Sequence, residues 1–222
     1  MDKVIITGTS SGLGYETSKQ LISKGVKVIG LSRKNPAFSS NYVHISCDLS
    51  SKESIESAVK EILKKHSDFD ALINCAGMLN ARDTNNLKYD ELEYSLKVNL
   101  IAPIILTSEL LEQGKQNSAD FLFVTSIAIK EYYPKFDGYS AAKAGLENFV
   151  HNLQIELAQT KCRIINFCPG GFKSNIWKKA TGDKVKRDEN IRIETSDMAA
   201  LLIHILNIPK KMEVQNIVIN QK

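Results

Sequence analysis

The sequence predicts an α/β fold, a doubly wound parallel sheet of about seven strands with helices on both faces. Two observations predict it. Short apolar runs alternate with amphipathic helical stretches along all 222 residues, which is typical of consecutive βαβ units. These runs are apolar at nearly every position, as in parallel strands that are covered on both faces. No repeat or linker divides the chain, so we expect one domain over residues 1–222.

The first predicted unit is a strand, a glycine-rich turn and a helix. Val4–Thr7 is β-branched, Gly8–Gly14 carries three glycines, and Tyr15–Lys24 has helical spacing of its apolar residues. Gly25 is typical of a helix C-cap, and a second strand, Val26–Leu31, completes a βαβ unit. Glycine-rich turns also occur without ligands. The G-x-x-x-G-x-G spacing before a helix N-terminus nevertheless favours a phosphate cradle and nucleotide binding.

The alternation of strands and helices continues through the middle of the chain. Tyr42–Cys47 is strand-like, and Ser51–Lys65 is an amphipathic helix for which Ser50 and Glu53 offer a capping box. Phe69–Asn74 is the fourth predicted strand.

A long helix is predicted over Tyr89–Gln113. It contains Asn99 and Pro103, and the missing N–H of a proline predicts a kink close to Asn99. The remaining elements alternate in the same way: strand Ala119–Thr125, helix Tyr139–Gln159, strand Arg163–Cys168, an irregular polar segment at 172–194, helix Ser196–Leu206 and strand Asn216–Asn220.

Tyr139 and Lys143 form the candidate catalytic pair. They are four residues apart among alanines, so on a helix they lie one turn apart on the same face. An ammonium near a phenol favours the phenolate, and we therefore expect the Tyr139 pKa to fall below its usual value of about 10. Tyr139 is then a candidate general acid/base. The alternative is a packed ring beside a solvated amine.

Composition argues against several other classes of protein. No apolar run approaches the roughly 18 residues of a membrane span, and the start MDKVIITG has no signal-peptide pattern. We therefore expect a cytoplasmic protein that does not associate with a membrane. The four cysteines and four histidines show no ligand spacing, which predicts no metal site. Lys173–Arg192 carries seven basic and three acidic residues, equal to the whole net charge of +4, and we expect no nucleic-acid partner.

These motifs together resemble the short-chain dehydrogenase/reductase family, in its short single-domain branch with a Rossmann-like NAD(P)-binding domain. The resemblance covers nearly the whole chain. It rests on the turn Thr7-Gly8-x-x-x-Gly12-x-Gly14, the pair Asp48-Leu49, the signature Asn74-Cys75-Ala76-Gly77 with Cys for Ala, the tetrad Asn99, Ser126, Tyr139 and Lys143, and the segment Pro169-Gly170.

The resemblance implies a role for each member of the tetrad. Ser126 would hydrogen-bond the substrate carbonyl or alcohol, and Tyr139 would pass the proton. Lys143 would hold the ribose hydroxyls and lower the Tyr139 pKa, while Asn99 would position a water in a proton relay. Ser174 stands where the family often has Thr against the carboxamide.

The resemblance also implies a cofactor site. Its members would be Gly8, Ser10, Ser11, Gly12, Leu13, Gly14, Arg33, Asp48, Leu49, Asn74, Ala76, Gly77, Tyr139, Lys143, Pro169 and Ser174. The second strand ends in Leu31-Ser32-Arg33-Lys34, with two cations and no carboxylate that would repel a 2′-phosphate. NADP(H) is therefore favoured, with NAD(H) as the alternative if Arg33 and Lys34 are merely solvated.

Two departures from the family bear on substrate and assembly. The segment at 172–194, the substrate lid of the family, is short and basic here, which favours an anionic substrate such as a phosphorylated sugar or polyol. The chain ends directly after NIVIN, without the usual C-terminal extension. Without this extension the homotetramer that is common in the family is less expected. A homodimer through the helices predicted at Tyr89–Gln113 and Tyr139–Gln159 is the other expectation.

Three functions compete at this point. The leading one is an NADP-dependent carbonyl reductase or alcohol dehydrogenase that acts on a small molecule. A non-catalytic dinucleotide-binding sensor or scaffold is the alternative, because related chains can keep a fold and lose its chemistry. A sugar epimerase or dehydratase fits poorly, since that branch has G-x-x-G-x-x-G spacing and a larger C-terminal domain.

Overall fold

Seven parallel strands form a single sheet in the order β3-β2-β1-β4-β5-β6-β7 in the computed structural model, which describes residues 1–38, 40–174, 176, 180 and 193–222. Every neighbouring pair in this sheet is parallel. The strands are β1 Lys3–Thr7, β2 Lys27–Ser32, β3 Tyr42–Ser46, β4 Ala71–Asn74, β5 Asp120–Val124, β6 Arg163–Pro169 and β7 Asn216–Ile219.

Helices connect these strands. The helices are α1 Gly12–Ser23, α2 Lys52–Lys65, α3 Tyr89–Leu96, α4 Ala102–Asn117, α5 Asp137–Glu156 and α6 Thr195–Leu206. Short 3₁₀ turns lie at Thr84–Asn86 and Ile127–Ile129. The predicted fold class is confirmed, and most predicted elements differ from the observed ones only by a few residues at their ends.

Two hydrophobic cores cover the two faces of the sheet. Successive strand residues point to opposite faces, and β1 divides accordingly: Ile5 belongs to the core beneath α2, α4 and α5. Val4 and Ile6 belong to the core beneath α1 and α6. Because both faces are covered, the strands are apolar throughout, which explains their appearance in the sequence.

The cap of α2 differs from the prediction. Ser51, not Ser50, is the N-cap residue, and its Oγ accepts a hydrogen bond from the Ser54 N–H at 3.2 Å. Ser50 instead donates from its N–H and its hydroxyl to Asp48 Oδ1, at 2.9 and 2.7 Å. The predicted capping box was therefore wrong by one residue, because the Asp48 carboxylate competes for Ser50.

The predicted kink near Asn99 takes the form of a π turn over Lys97–Ile101, between α3 and α4. Pro103 lies at the start of α4 and lacks the N–H that would donate to the Asn99 carbonyl. The π turn therefore places Asn99 at a defined break in the helix.

The whole stretch Tyr89–Asn117 reaches the length and mean hydropathy, 1.2, of a candidate membrane span, which the sequence analysis did not find. Buried core helices meet the same criterion, and Leu106 and Leu110 of this stretch are completely buried against the sheet. The length and composition of this one stretch are therefore weak evidence for a membrane span.

Most of the predicted lid at 172–194 lies outside the described residues. Within its described part, Lys173 and Glu194 form a parallel bridge through their backbones and an ion pair through their side chains. The one lid cation that the structure describes is thus paired with a carboxylate.

A buried ion pair joins the starts of β5 and β6. Arg163 Nη2 lies 2.6 Å from Asp120 Oδ2 and Arg163 Nε lies 2.9 Å from Asp120 Oδ1, with both side chains less than 5% exposed. Arg163 also donates to the carbonyls of Leu206 and Ile208 after α6. The guanidinium therefore ties two central strands to the last helix.

We expect Asp120→Asn to destabilise the protein by about 3–5 kcal/mol, because it leaves a buried guanidinium without its counter-charge. Urea unfolding followed by circular dichroism measures the difference. Glu109→Gln, an equivalent change on the exposed surface of α4, is the control and should shift stability by less than about 0.5 kcal/mol. Equal stabilities of the two variants would contradict the prediction.

Candidate active site

A cavity of about 900 Å³ opens at the carboxyl ends of the strands. It lies where the strand order reverses, between β1 and β4, which is where ligands bind in doubly wound sheets. Segments that follow the strands form much of its wall, among them the turn after β1, the segment after β4, the turn after β5 and the segment after β6. The volume is typical of a site for a cofactor or small molecule.

The turn after β1 requires glycine at two positions. Gly8 has φ +77°, and a Cβ there would lie 2.8 Å from the Cα of Ala76. A Cβ on Gly14 would lie 2.6 Å from the Gly8 carbonyl oxygen. These contacts bring the start of α1 against β1 so closely that no larger residue fits.

Thr7 locks this turn to the segment after β4. Its Oγ1 accepts hydrogen bonds from the backbone N–H groups of Cys75 and Ala76, each at 3.0 Å. Gly12, at φ +62°, has open space where a Cβ would be, so the backbone at the start of α1 is accessible from the cavity. The geometry fits the phosphates of a dinucleotide, which bind to the N–H groups of a helix N-terminus.

Ser126, Tyr139 and Lys143 converge in the cavity. Ser126 follows β5, and its Oγ accepts a hydrogen bond from the Ala128 N–H at 3.2 Å. The Tyr139 phenol, in the first turn of α5, lies near enough to Ser126 for that hydroxyl to lower its pKa. The Lys143 Nζ lies 5.9 Å from the centre of the Tyr139 ring and donates to the Val124 carbonyl at 2.7 Å. The spacing in the sequence therefore does place phenol and ammonium on one side of the helix.

Burial controls the ionisation of both groups. Burial raises the pKa of Tyr139, Ser126 opposes this through its hydrogen bond, and Cys168 adds to it. Burial also lowers the pKa of Lys143 to about 8. The expectation that Lys143 lowers the Tyr139 pKa is wrong in this structure, because loss of solvation disfavours the charged form of each residue and the ammonium contacts Val124 instead.

Asn99 lies behind the cavity wall rather than in it. It is completely buried, and its side chain both accepts from the Met78 N–H at 3.1 Å and donates to the Met78 carbonyl at 2.8 Å. A Cβ on Gly77 would lie 3.2 Å from Asn99 Oδ1 and 3.8 Å from Lys143 Nζ. Asn99 therefore holds the segment after β4 next to Lys143.

The predicted cofactor contacts line the cavity, with one exception. Asn74 is buried behind the wall, where its Nδ2 donates to Thr107 Oγ1 at 3.3 Å and its Oδ1 has no hydrogen-bond partner among the residues that the structure describes. Its side chain therefore faces α4 rather than the cavity. Pro169, at the end of β6, and Ser174, in the segment that follows it, also line the cavity.

Arg33, Asp48 and Leu49 lie together at the β2 end of the cavity. Arg33 Nη1 donates to the Tyr94 hydroxyl at 2.9 Å, and Tyr94 also lines the cavity. The N–H of Ser50 holds the pKa of Asp48 below its usual value, and the charge of Arg33 contributes to this. The sequence analysis missed Tyr94, because no motif marks a residue that reaches the cavity from α3.

A second group of residues was also missed at the other end of the cavity. Glu131, Tyr133, Asn220 and Gln221 line the cavity at its end next to Ser126 and Gly170. Glu131 and Tyr133 follow β5, and Asn220 and Gln221 follow β7. In the sequence, only Glu131 and Tyr133 carry a signal of this placement, because they lie shortly after Ser126.

Comparisons with known proteins agree with this geometry. The family model described as short chain dehydrogenase matches residues 2–185. The 3-oxoacyl-(acyl-carrier-protein) reductase FabG of Buchnera aphidicola is 30% identical over 182 residues, which cover 78% of this chain and 75% of that protein.

Solved structures share the fold. Serine dehydrogenase complexed with NADP+ matches with a TM-score of 0.89 at 19% identity, over 98% of this chain and 94% of that chain. The structure of 4-hydroxyisoleucine dehydrogenase complexed with NADH matches with a TM-score of 0.87 at 22% identity, over 99% of this chain and 97% of that chain.

We expect Lys143→Met to stabilise the protein near pH 7 by about 3 kcal/mol, because it removes the cost of burying an ammonium whose pKa has fallen from 10.5 to about 8. The folded-state pKa lies below the unfolded one, so the unfolded chain binds more protons between these values and wild-type stability rises through this window. The advantage of the variant should shrink there.

Urea unfolding at a series of pH values measures both stabilities. Lys60→Met, on the exposed surface of α2, is the control and should show no such pH dependence. A Lys143→Met variant that is less stable than wild type near pH 7 would contradict the prediction.

Proposed function

Since the chain belongs to the short-chain dehydrogenase/reductase family and is an oxidoreductase with an NAD(P)-binding fold, we propose that it transfers hydride between nicotinamide and a carbonyl or secondary alcohol. The observation that carries this proposal is the convergence of Ser126, Tyr139 and Lys143 in one cavity beside the glycine-rich turn. The bound dinucleotide supplies the hydride.

The residues of the chain bind, orient and move a proton. Ser126 Oγ hydrogen-bonds the substrate oxygen, and the Tyr139 hydroxyl donates the proton to that oxygen during reduction. Burial raises the pKa of Tyr139, so the phenol is protonated at neutral pH and can donate the proton in the reductive direction. Lys143 uses one proton of its ammonium for Val124, and its other donors are available for the ribose hydroxyls. Asn99 acts from behind the wall by holding the backbone of Met78.

We assign the cofactor preference to NADP(H). No carboxylate ends β2, and Arg33 lies in the cavity wall with its guanidinium held by the Tyr94 hydroxyl. A guanidinium binds a phosphate through several donors. Lys34 is exposed and absent from the cavity wall, so Arg33 is the candidate for the 2′-phosphate.

The proposal of an anionic substrate rests on the basic segment at 172–194. Most of its cations lie outside the described residues, and Lys173 is paired with Glu194. Two of its described residues, Ile176 and Ala180, pack against the same small hydrophobic cluster as Tyr139 does. This packing supports a lid role for the described part of the segment, and we propose phosphorylated sugars and polyols as the anionic substrates to test.

Exposed apolar side chains on α4, on the turn before it and on α5 bear on the assembly of the protein. Ile101 and Ile105 on the α4 side and Ile155 on α5 are each at least 40% exposed, which supports a homodimer through these helices, with a homotetramer as the alternative. We place the protein in the cytoplasm, without a nucleic-acid or membrane partner.

Tyr139→Phe tests the enzyme against the non-catalytic sensor. We expect the rate of carbonyl reduction to fall at least about 10²-fold, because the variant lacks the proton donor. The fluorescence of bound NADPH measures the cofactor affinity, which should stay close to wild type because the ring is retained. Tyr132→Phe, at an exposed tyrosine outside the cavity wall, is the control for loss of a hydroxyl. Unchanged turnover by Tyr139→Phe would favour the sensor.

Arg33→Ala tests the cofactor preference. We expect the Kd for NADPH to rise about ten-fold or more with little change for NADH, because a charge-assisted hydrogen bond to the 2′-phosphate is lost. Tyr94→Phe, which removes only the hydroxyl that holds Arg33, should show a smaller change of the same kind. Arg82→Ala, at an exposed arginine outside the cavity, is the control. An equal loss for both cofactors would contradict the assignment.

A further inference from the structure

Glu131, Tyr133 and Asn220 form a hydrogen-bonded group at the end of the cavity next to Ser126. The Tyr133 hydroxyl donates to Glu131 Oε2, and Asn220 Nδ2 donates to Glu131 Oε1 at 3.0 Å. We call these three residues the carboxylate wall. All three line the cavity, and none belongs to the motifs of the glycine-rich turn or the catalytic tetrad.

The backbone fixes the carboxylate wall to the catalytic residues. The N–H of Glu131 donates to the Ile127 carbonyl at 2.9 Å, in the turn that begins directly after Ser126. On the other side, the Gly170 N–H donates to the Ile219 carbonyl at 2.6 Å. A Cβ on Gly170 would lie 2.8 Å from Asn220 Oδ1. The wall therefore joins the segment after β5 to the segment after β7, and Asn220 lies against Gly170 in the segment after β6.

The carboxylate wall favours some substrate groups over others through the acceptors and the charge of Glu131. A carboxylate accepts hydrogen bonds and donates none, and its two oxygens together offer about four acceptor positions. Two of these are used by Tyr133 and Asn220, so the carboxylate keeps acceptor capacity. A substrate group placed here gains from an O–H or N–H donor, whereas an anionic group is repelled.

We propose that the carboxylate wall is a substrate subsite that binds a hydrogen-bond donor, a hydroxyl or an ammonium group, carried by the substrate on the chain beyond its carbonyl. This inference rests on the proposed function. It names hydroxy ketones and amino ketones, with the corresponding diols and amino alcohols, as the substrate class. It also places any anionic group of the substrate away from Glu131.

The test compares wild type with Glu131→Gln, which keeps the size but removes the charge and replaces one of the two acceptor oxygens with an NH2 donor. Glu156→Gln, an exposed glutamate at the end of α5 outside the cavity, is the matched control. The probes are methyl ketones whose second alkyl chain, of increasing length, ends in a methyl, a hydroxyl or a carboxylate group. Aminoacetone represents the ammonium group.

For wild type we expect kcat/KM to be about ten-fold higher for the hydroxyl-ended ketone than for the methyl-ended ketone at one chain length. Glu131→Gln should lower kcat/KM about ten-fold for the hydroxyl and ammonium probes, mainly through a higher KM. It should leave the methyl-ended ketone unchanged and improve the carboxylate-ended one. A larger loss for aminoacetone than for the hydroxyl series identifies ammonium as the preferred donor.

A binding measurement separates the subsite from the chemistry. Calorimetric titration of each ketone into the protein saturated with NADP+ should give the same order of affinities and the same loss in Glu131→Gln. Equal affinities for methyl-ended and hydroxyl-ended ketones at every chain length, or equal behaviour of Glu131→Gln and Glu156→Gln, would overturn the subsite. If no ketone is turned over, the proposed function fails, and the titration still decides whether the wall binds a donor.

Discussion

The close approach of the backbone after β1 to the backbone after β4 is the constraint on which the rest of the site depends. Gly8 meets the Cα of Ala76, and Thr7 accepts hydrogen bonds from two N–H groups of the same segment. This contact exists because β1 and β4 are neighbours although two strands and two helices separate them in the chain. The cavity lies at the strand ends beside this contact, and Gly8 and Ala76 form part of its wall.

Ionisation in that cavity is governed by burial as much as by neighbouring charge. Tyr139 and Lys143 are both shielded from water, so each resists its charged form. A phenol that stays protonated suits proton donation to a carbonyl, and an ammonium with a lowered pKa keeps its proton less tightly than a solvent-exposed lysine. The same burial that costs stability at Lys143 prepares the site for chemistry, which is a common relation between stability and function.

Much of the fold and of the site follows from the sequence because both depend on local patterns. The alternation of apolar runs with amphipathic helices predicts the sheet, and the Gly8–Gly14 turn marks the cofactor end. The four-residue step from Tyr139 to Lys143 predicts their shared helix face. An error arises where two neighbouring residues offer the same group, as at Ser50 and Ser51, where Ser50 donates to the Asp48 carboxylate and Ser51 caps the helix.

By itself, the sequence determined the order of the elements, the position of the glycine-rich turn and the identity of the candidate catalytic side chains. Only the tertiary structure decided that Arg33 meets Tyr94, 61 positions away, and that Glu131 meets Asn220, 89 positions away. It also decided that Tyr139 is made less acidic rather than more. The physical reason is that local geometry depends on neighbours along the chain, whereas solvation and long-range hydrogen bonds depend on which elements pack together.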